Sequence, residues 1–129
     1  MSVGILIITH SNIGLSLYDA VTSVIGKCPL PTKLLPVSLD CEPEDLVLKA
    51  HKLISELDKG QGVLVLTDMY GSTPSNIACK LANGKVQVVA GINLPMLVRV
   101  MNYPNLDLPQ LANKALSGGH EGVISCQHN

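Results

Sequence analysis

Three short apolar runs, each ending at a polar residue or a glycine, constrain this chain more than any other feature. Val3-Gly4-Ile5-Leu6-Ile7-Ile8-Thr9 leads into His10, and Gly62-Val63-Leu64-Val65-Leu66-Thr67 leads into Asp68. The third run, Val86-Gln87-Val88-Val89-Ala90, leads into Gly91-Ile92-Asn93. Short apolar runs rich in β-branched residues read as buried strands. Strands buried on both faces belong to parallel sheets covered by helices.

The segments between them have helical spacing. Ile13, Leu17, Val21, Val24 and Ile25 lie on one face, and Gly26 stops that helix. A second strand is expected over Thr32–Val37, placed near an edge because Pro36 interrupts it. Pro43, Glu44 and Asp45 open a second helix, whose apolar face is Leu46, Ala50, Leu53, Ile54 and Leu57. Gly71 to Asn76 reads as a loop and a helix start, with Thr73 or Ser72 as cap and Pro74 just inside. That helix is expected to end near Asn83-Gly84. A short helix runs to about Met101 and a loop covers residues 104–109. A last helix carries Leu111, Ala112, Ala115 and Leu116, with Gly118-Gly119 as its stop. Residues 122–125 are a candidate fifth strand, short and antiparallel. The expected fold is one α/β domain over residues 1–129. Its open, mostly parallel sheet is flanked by helices and has a flavodoxin-like strand order.

Composition narrows the function. Aromatic residues are 2% of the chain, with no Trp and no Phe. That leaves no stacking platform for single-stranded nucleic acid. The formal net charge is −1 with Lys and Arg scattered, so there is no basic footprint for DNA or RNA. No apolar stretch approaches the ~20 residues of a membrane helix, and no basic signal-peptide start is visible. Cys28, Cys41, Cys79 and Cys126 form no C-x-x-C pair and are expected to be reduced, mostly buried thiols.

Chemistry in an open parallel sheet gathers at the carboxyl ends of the strands. Were strands one and three neighbours, His10 and Asp68 would face each other at the switch point. A carboxylate bonded to one ring nitrogen fixes the tautomer and leaves the other nitrogen as nucleophile. The plainer alternative has Asp68 capping its own loop and His10 as an incidental exposed ring. The loop Asp68-Met69-Tyr70-Gly71-Ser72-Thr73-Pro74 offers small residues, hydroxyls and helix-start amides, which suit an anion. An anion cradle beside such a histidine points to phosphoryl transfer onto the imidazole. No P-loop, dinucleotide fingerprint or G-x-S-x-G elbow occurs. His51, His120 and His128 have no metal-ligand spacing with His10, so no metal site and no cofactor are expected.

The chain resembles the mannose-type enzyme IIA domains of the bacterial phosphoenolpyruvate:sugar phosphotransferase system. Gly4-Ile5-Leu6-Ile7-Ile8-Thr9-His10-Ser11 is similar to that family's active-site strand. The Gly62–Asp68 stretch, Gly71-Ser72-Thr73-Pro74-Ser75-Asn76, and Val89-Ala90-Gly91-Ile92-Asn93-Leu94-Pro95-Met96-Leu97 follow in order, with Glu121-Gly122-Val123 near the end. The resemblance implies that His10 receives a phosphoryl group from the phosphocarrier HPr and passes it to a IIB domain. It implies Asp68 as carboxylate partner and Gly71, Ser72 and Thr73 as holders of the phosphoryl oxygens. It further implies a cytoplasmic homodimer that meets the membrane only through a permease complex. Ile13, Met69, Tyr70 and Met96 are expected at the docking rim. Ser11 and Ser72 stand where the family often has Gly, and Ser11 also resembles the phosphotransfer subunit of dihydroxyacetone kinases. A regulatory module read through its phosphorylation state is the alternative from another class. The absence of a linker or fused IIB domain leans toward it. A flavodoxin-like small-molecule binder is weaker for want of aromatic residues.

Overall fold

The computed structural model describes residues 2–127. The first apolar run forms β1 (Gly4–His10), which lies in the middle of the sheet. It pairs on one side with β2 (Thr32–Val37) and on the other with β3 (Val63–Thr67); β4 (Val86–Ala90) lies outside β3. All three pairings are parallel and the order is β2-β1-β3-β4. Pro36 sits on the edge strand β2, where a missing N–H costs least.

The central strands are apolar at nearly every position because helices cover both faces. Ile5, Ile7, Leu64 and Leu66 pack with Val21 of α1 (Ile13–Ile25), Leu97 of α4 (Leu94–Met101) and Leu111 of α5 (Leu108–Glu121). Leu6, Ile8, Val63 and Val65 face the other way, onto Ala50 of α2 (Pro43–Leu57) and Ile77 of α3 (Thr73–Cys79). Each such fully buried aliphatic side chain contributes about 1.5–3 kcal/mol. α1 and α2 lie on opposite faces, so the winding reverses between β1 and β3. That reversal opens the crevice in which open α/β sheets hold their ligands. No described helix is long and apolar enough to cross a membrane.

The structure corrects several expectations. Gly118 and Gly119 do not stop α5, which continues to Glu121. A Cβ on Gly118 would lie 2.5 Å from Arg99 Cβ, and one on Gly119 2.8 Å from Met96 Cε. These glycines let α5 approach α4, and tertiary packing holds them helical. Residues 122–127 form no strand and are exposed, so the described sheet has four strands and no antiparallel member. α3 ends at Cys79, before Asn83-Gly84, because the chain turns early and the Asn83 N–H donates to the Val86 carbonyl at 3.0 Å. α5 begins at Leu108, inside the expected loop, capped by Asp107. The thiols are not mostly buried: Cys28 and Cys41 are half-buried, while Cys79 and Cys126 are exposed. His128 lies outside the described residues.

Candidate active site

The register brings His10 and Asp68 together. Ile8 pairs with Thr67, so Asp68 leaves β3 one step beyond that pair while β1 continues to His10. Asp68 Oδ2 accepts from the His10 main-chain N–H at 2.9 Å and stands 2.8 Å from ring Nδ1. Oδ1 accepts from the Met69 N–H at 3.0 Å. Burial by itself would raise the Asp68 pKa. The His10 main-chain and ring bonds, then the Met69 N–H, outweigh it and hold the carboxyl below its ordinary value. An ionised carboxylate only accepts, so Nδ1 must carry the ring proton. The lone pair is then on Nε2. The His10 side chain is 38% exposed while that of Asp68 is 13% exposed, which leaves the ring open to a partner and its holder covered.

Thr9 and Ser11 fix the strand end on either side. Thr9 Oγ1 accepts from the Gly14 N–H at 2.8 Å and anchors the first turn of α1. A Cβ on Gly14 would lie 2.7 Å from Ile7 Cγ2, so α1 sits directly on the sheet there. Ser11 adopts φ 48°, the left-handed region, and its N–H donates to the Val37 carbonyl at 2.9 Å. This conformation is costly for any residue with a Cβ and free of cost for glycine.

Most donors of residues 71–73 are taken up by neighbours in the same loop and helix start. The Gly71 N–H donates to Ser75 Oγ at 3.3 Å, and both the N–H and the hydroxyl of Ser72 donate to the Met69 carbonyl. Thr73 is exposed and lines one cleft with His10. The same cleft is walled by Val37, Ser38, Leu39, Cys41 and Pro43. Sequence reasoning missed that β2–α2 wall. The signal available was the pairing of His10 with Val37, which puts whatever follows β2 beside the histidine.

Ile13 (46%), Met69 (60%) and Tyr70 (81%) are exposed around the site. Met96, expected with them, is 3% exposed and belongs to the core against Gly119. Asn93, at the third loaded strand end, is occupied structurally. Its Oδ1 caps α4 through the Met96 N–H at 2.9 Å, and its Nδ2 donates to the Gly119 carbonyl at 3.1 Å. His51 and His120 are exposed on helices. Among the described residues, no group of three or more His, Cys, Asp or Glu is placed to hold a metal ion.

The family model described as PTS system fructose IIA component (EIIA-man) matches residues 4–115. The mannose-specific EIIAB component of the PTS from Escherichia coli (strain K12) is 36% identical over 86 residues, which is 62% of this chain and 26% of that protein's length. A sorbose-specific EIIA component from Lacticaseibacillus casei is 29% identical over 114 residues, 84% of this chain and 80% of that protein. Among solved structures, a mannose/sorbose specific IIA subunit of the phosphotransferase system from Enterococcus faecalis superposes with a TM-score of 0.88. It covers 100% of this chain and 98% of its own at 20% identity, a likeness of fold.

Proposed function

This chain belongs to the EIIA-man family of phosphotransferase-system IIA components, and we propose that it is a phosphocarrier that takes a phosphoryl group on His10 Nε2. The donor is phosphorylated HPr and the acceptor a IIB domain, in sugar uptake. The observation that carries this reading is the 2.8 Å contact between His10 Nδ1 and Asp68 Oδ2.

The step is balanced without a nucleotide. The donor's phosphorus–nitrogen bond breaks as a bond from phosphorus to Nε2 forms, and the Nδ1 proton stays where Asp68 holds it. Positive character grows on the ring as Nε2 gives up its lone pair. A carboxylate already in place on the far nitrogen stabilises that charge with no reorganisation. Transfer between two imidazoles is nearly balanced in energy, so positioning accounts for most of the catalysis. Thr73 is proposed to hold the phosphoryl oxygens, with Gly71 and Ser72, whose donors are bonded to Ser75 and Met69, shaping the loop around it. Sugar specificity resides in the partners, since the site has no ring-stacking platform.

Self-association belongs to the same reading. Among the described residues β4 has no strand on its outer side, and Val123 and Ile124 are exposed at 78% and 75% just beyond α5. A cytoplasmic homodimer in which residues 122–125 pair at the partner's β4 edge would cover both. Sedimentation as a monomer at micromolar concentration contradicts it.

The deciding experiment mixes the protein with HPr, its phosphodonor system and labelled phosphoenolpyruvate. Acid-labile, alkali-stable label on wild type and none on His10→Ala is the expected result. Label retained by His10→Ala removes the assignment.

A further inference from the structure

The cleft beside His10 is walled on two sides, and each wall carries an exposed residue with a hydroxyl, Thr73 on one and Ser38 on the other. On the β3–α3 side the Ser72 hydroxyl donates to the Met69 carbonyl, and the Ser75 hydroxyl accepts from the Gly71 N–H. Among the described residues the hydroxyls of Ser38 and Thr73 have no such partner. The cleft has a volume of about 160 Å³. A water's share of liquid volume is about 30 Å³, so a phosphoryl group on the ring fits between the walls.

The fold fixes where Ser38 stands. β1 lies between β2 and β3, so residues that follow β2 and residues that follow β3 flank His10 from opposite sides. His10 pairs with Val37, the last residue of β2. The Val37 carbonyl accepts from the Ser11 N–H at 2.9 Å, which ties the peptide joining Val37 to Ser38 to the residue after the histidine. The Ser38 carbonyl accepts from the Cys41 N–H at 3.4 Å and closes a turn. Both peptide units around Ser38 are therefore held, and its side chain projects from an anchored backbone. Val37, Leu39 and Pro43 on the same wall have no side-chain donor, and the Cys41 thiol is a weak one.

From this placement we propose that Ser38 binds the phosphoryl group, its hydroxyl donating to a phosphoryl oxygen on His10 Nε2 from the wall opposite Thr73. A hydroxyl is a rotor, so it can turn to an oxygen that arrives only with the phosphoryl group. A hydrogen bond to an ionised acceptor is also roughly twice as strong as one between neutral groups. Ser38 keeps its proton throughout. The bond that breaks is the donor's phosphorus–nitrogen bond, and the bond that forms is from phosphorus to Nε2. One hydroxyl on each side centres the phosphoryl group over the ring nitrogen, and such positioning is what transfer between two imidazoles needs. This role rests on the phosphocarrier reading and adds a residue to it.

The test follows label transfer from phosphorylated HPr to wild type, Ser38→Ala, Ser38→Thr, Thr73→Ala and the double Ala variant, with circular dichroism to confirm folding. Ser38→Ala should lower the maximal rate about tenfold or more, the loss of one hydrogen bond to a charged group. The HPr concentration giving half that rate should stay within about twofold, because the bond forms to the phosphoryl group and not to HPr. Ser38→Thr, which keeps the hydroxyl, should recover most of the rate. The losses from Ser38→Ala and Thr73→Ala should not be additive in the double variant, since both residues hold one group, whereas their effects on urea stability without phosphate should add. The phosphorus NMR resonance of phosphorylated His10 should shift in Ser38→Ala. A folded Ser38→Ala at the wild-type maximal rate, a change confined to the half-saturating HPr concentration, or Ser38→Thr as slow as Ser38→Ala overturns the proposal. Wild type that takes no label on His10 fails the carrier reading instead, and the role of Ser38 falls with it.

Discussion

Asp68 Oδ2 accepts two hydrogen bonds from one residue, the main-chain N–H of His10 at 2.9 Å and its ring Nδ1 at 2.8 Å. The ring is thereby tied to its own backbone through a carboxylate just beyond the neighbouring strand. One atom sets the tautomer, the ring orientation and the local meeting of β1 and β3.

Removing that atom should slow chemistry before it harms folding. Asp68→Ala is expected to slow phosphoryl transfer more than tenfold, on the order of 1–3 kcal/mol. Label-transfer kinetics with a circular dichroism control measure this. A wild-type rate in a folded variant would show that the pairing is not catalytic.

The depressed Asp68 pKa gives stability a definite pH dependence. A carboxyl whose folded pKa is lowered stabilises the fold above its unfolded value, about 3.9, and loses that contribution as pH falls through the lower folded value. Urea midpoints measured from pH 5 down to pH 2 should therefore fall more steeply in wild type than in Asp68→Asn. Parallel curves would remove Asp68 from the acid transition.

Ser11 pays for its φ of 48° with a side chain that glycine would not carry. Ser11→Gly should keep or raise the denaturation midpoint, whereas Ser11→Val should lower stability by about 1–2 kcal/mol. Chemical denaturation of the three proteins decides. Equal stability of the Val variant would mean the strand end relaxes to another conformation.

Gly118 tests the packing of α5 on α4. Ala is a better helix former than Gly by about 1 kcal/mol, so an unpacked site would gain stability from Gly118→Ala. With Arg99 Cβ 2.5 Å from the added methyl position, overpacking should win and cost about 1–3 kcal/mol. A stabilised variant would refute the close approach.

Thr67 is fully buried at the end of β3, and its hydroxyl has no partner among the described residues. Thr67→Val removes a desolvated polar group at nearly constant shape. It should raise stability by about 1 kcal/mol and leave transfer to His10 unchanged. A loss of stability would indicate a bound water at that hydroxyl.

Local physics wrote much of this protein into its sequence. Continuous apolar runs located β1 and β3, because a strand covered on both faces has few polar positions, and the run over residues 86–90 located the edge strand β4. Pro43 and Pro74 marked helix starts and Gly26 a helix end through backbone constraints that act within a turn. His10 and Asp68 were visible as polar exits from buried strands. Their contact required β1 beside β3 in one register, which only pairing across 58 residues of chain could decide. The same holds for the β2–α2 wall of the cleft, which reaches the site through the pairing of His10 with Val37. At Gly118, Gly119 and Met96 the local pattern misleads for a related reason. Their roles depend on α4 packing against α5, and a contact between separate helices overrides what glycine or an exposed-rim pattern implies locally. Residues 122–125 carry strand-like side chains but have no strand beside them among the described residues, and a β-strand without a neighbour has nothing to bond to.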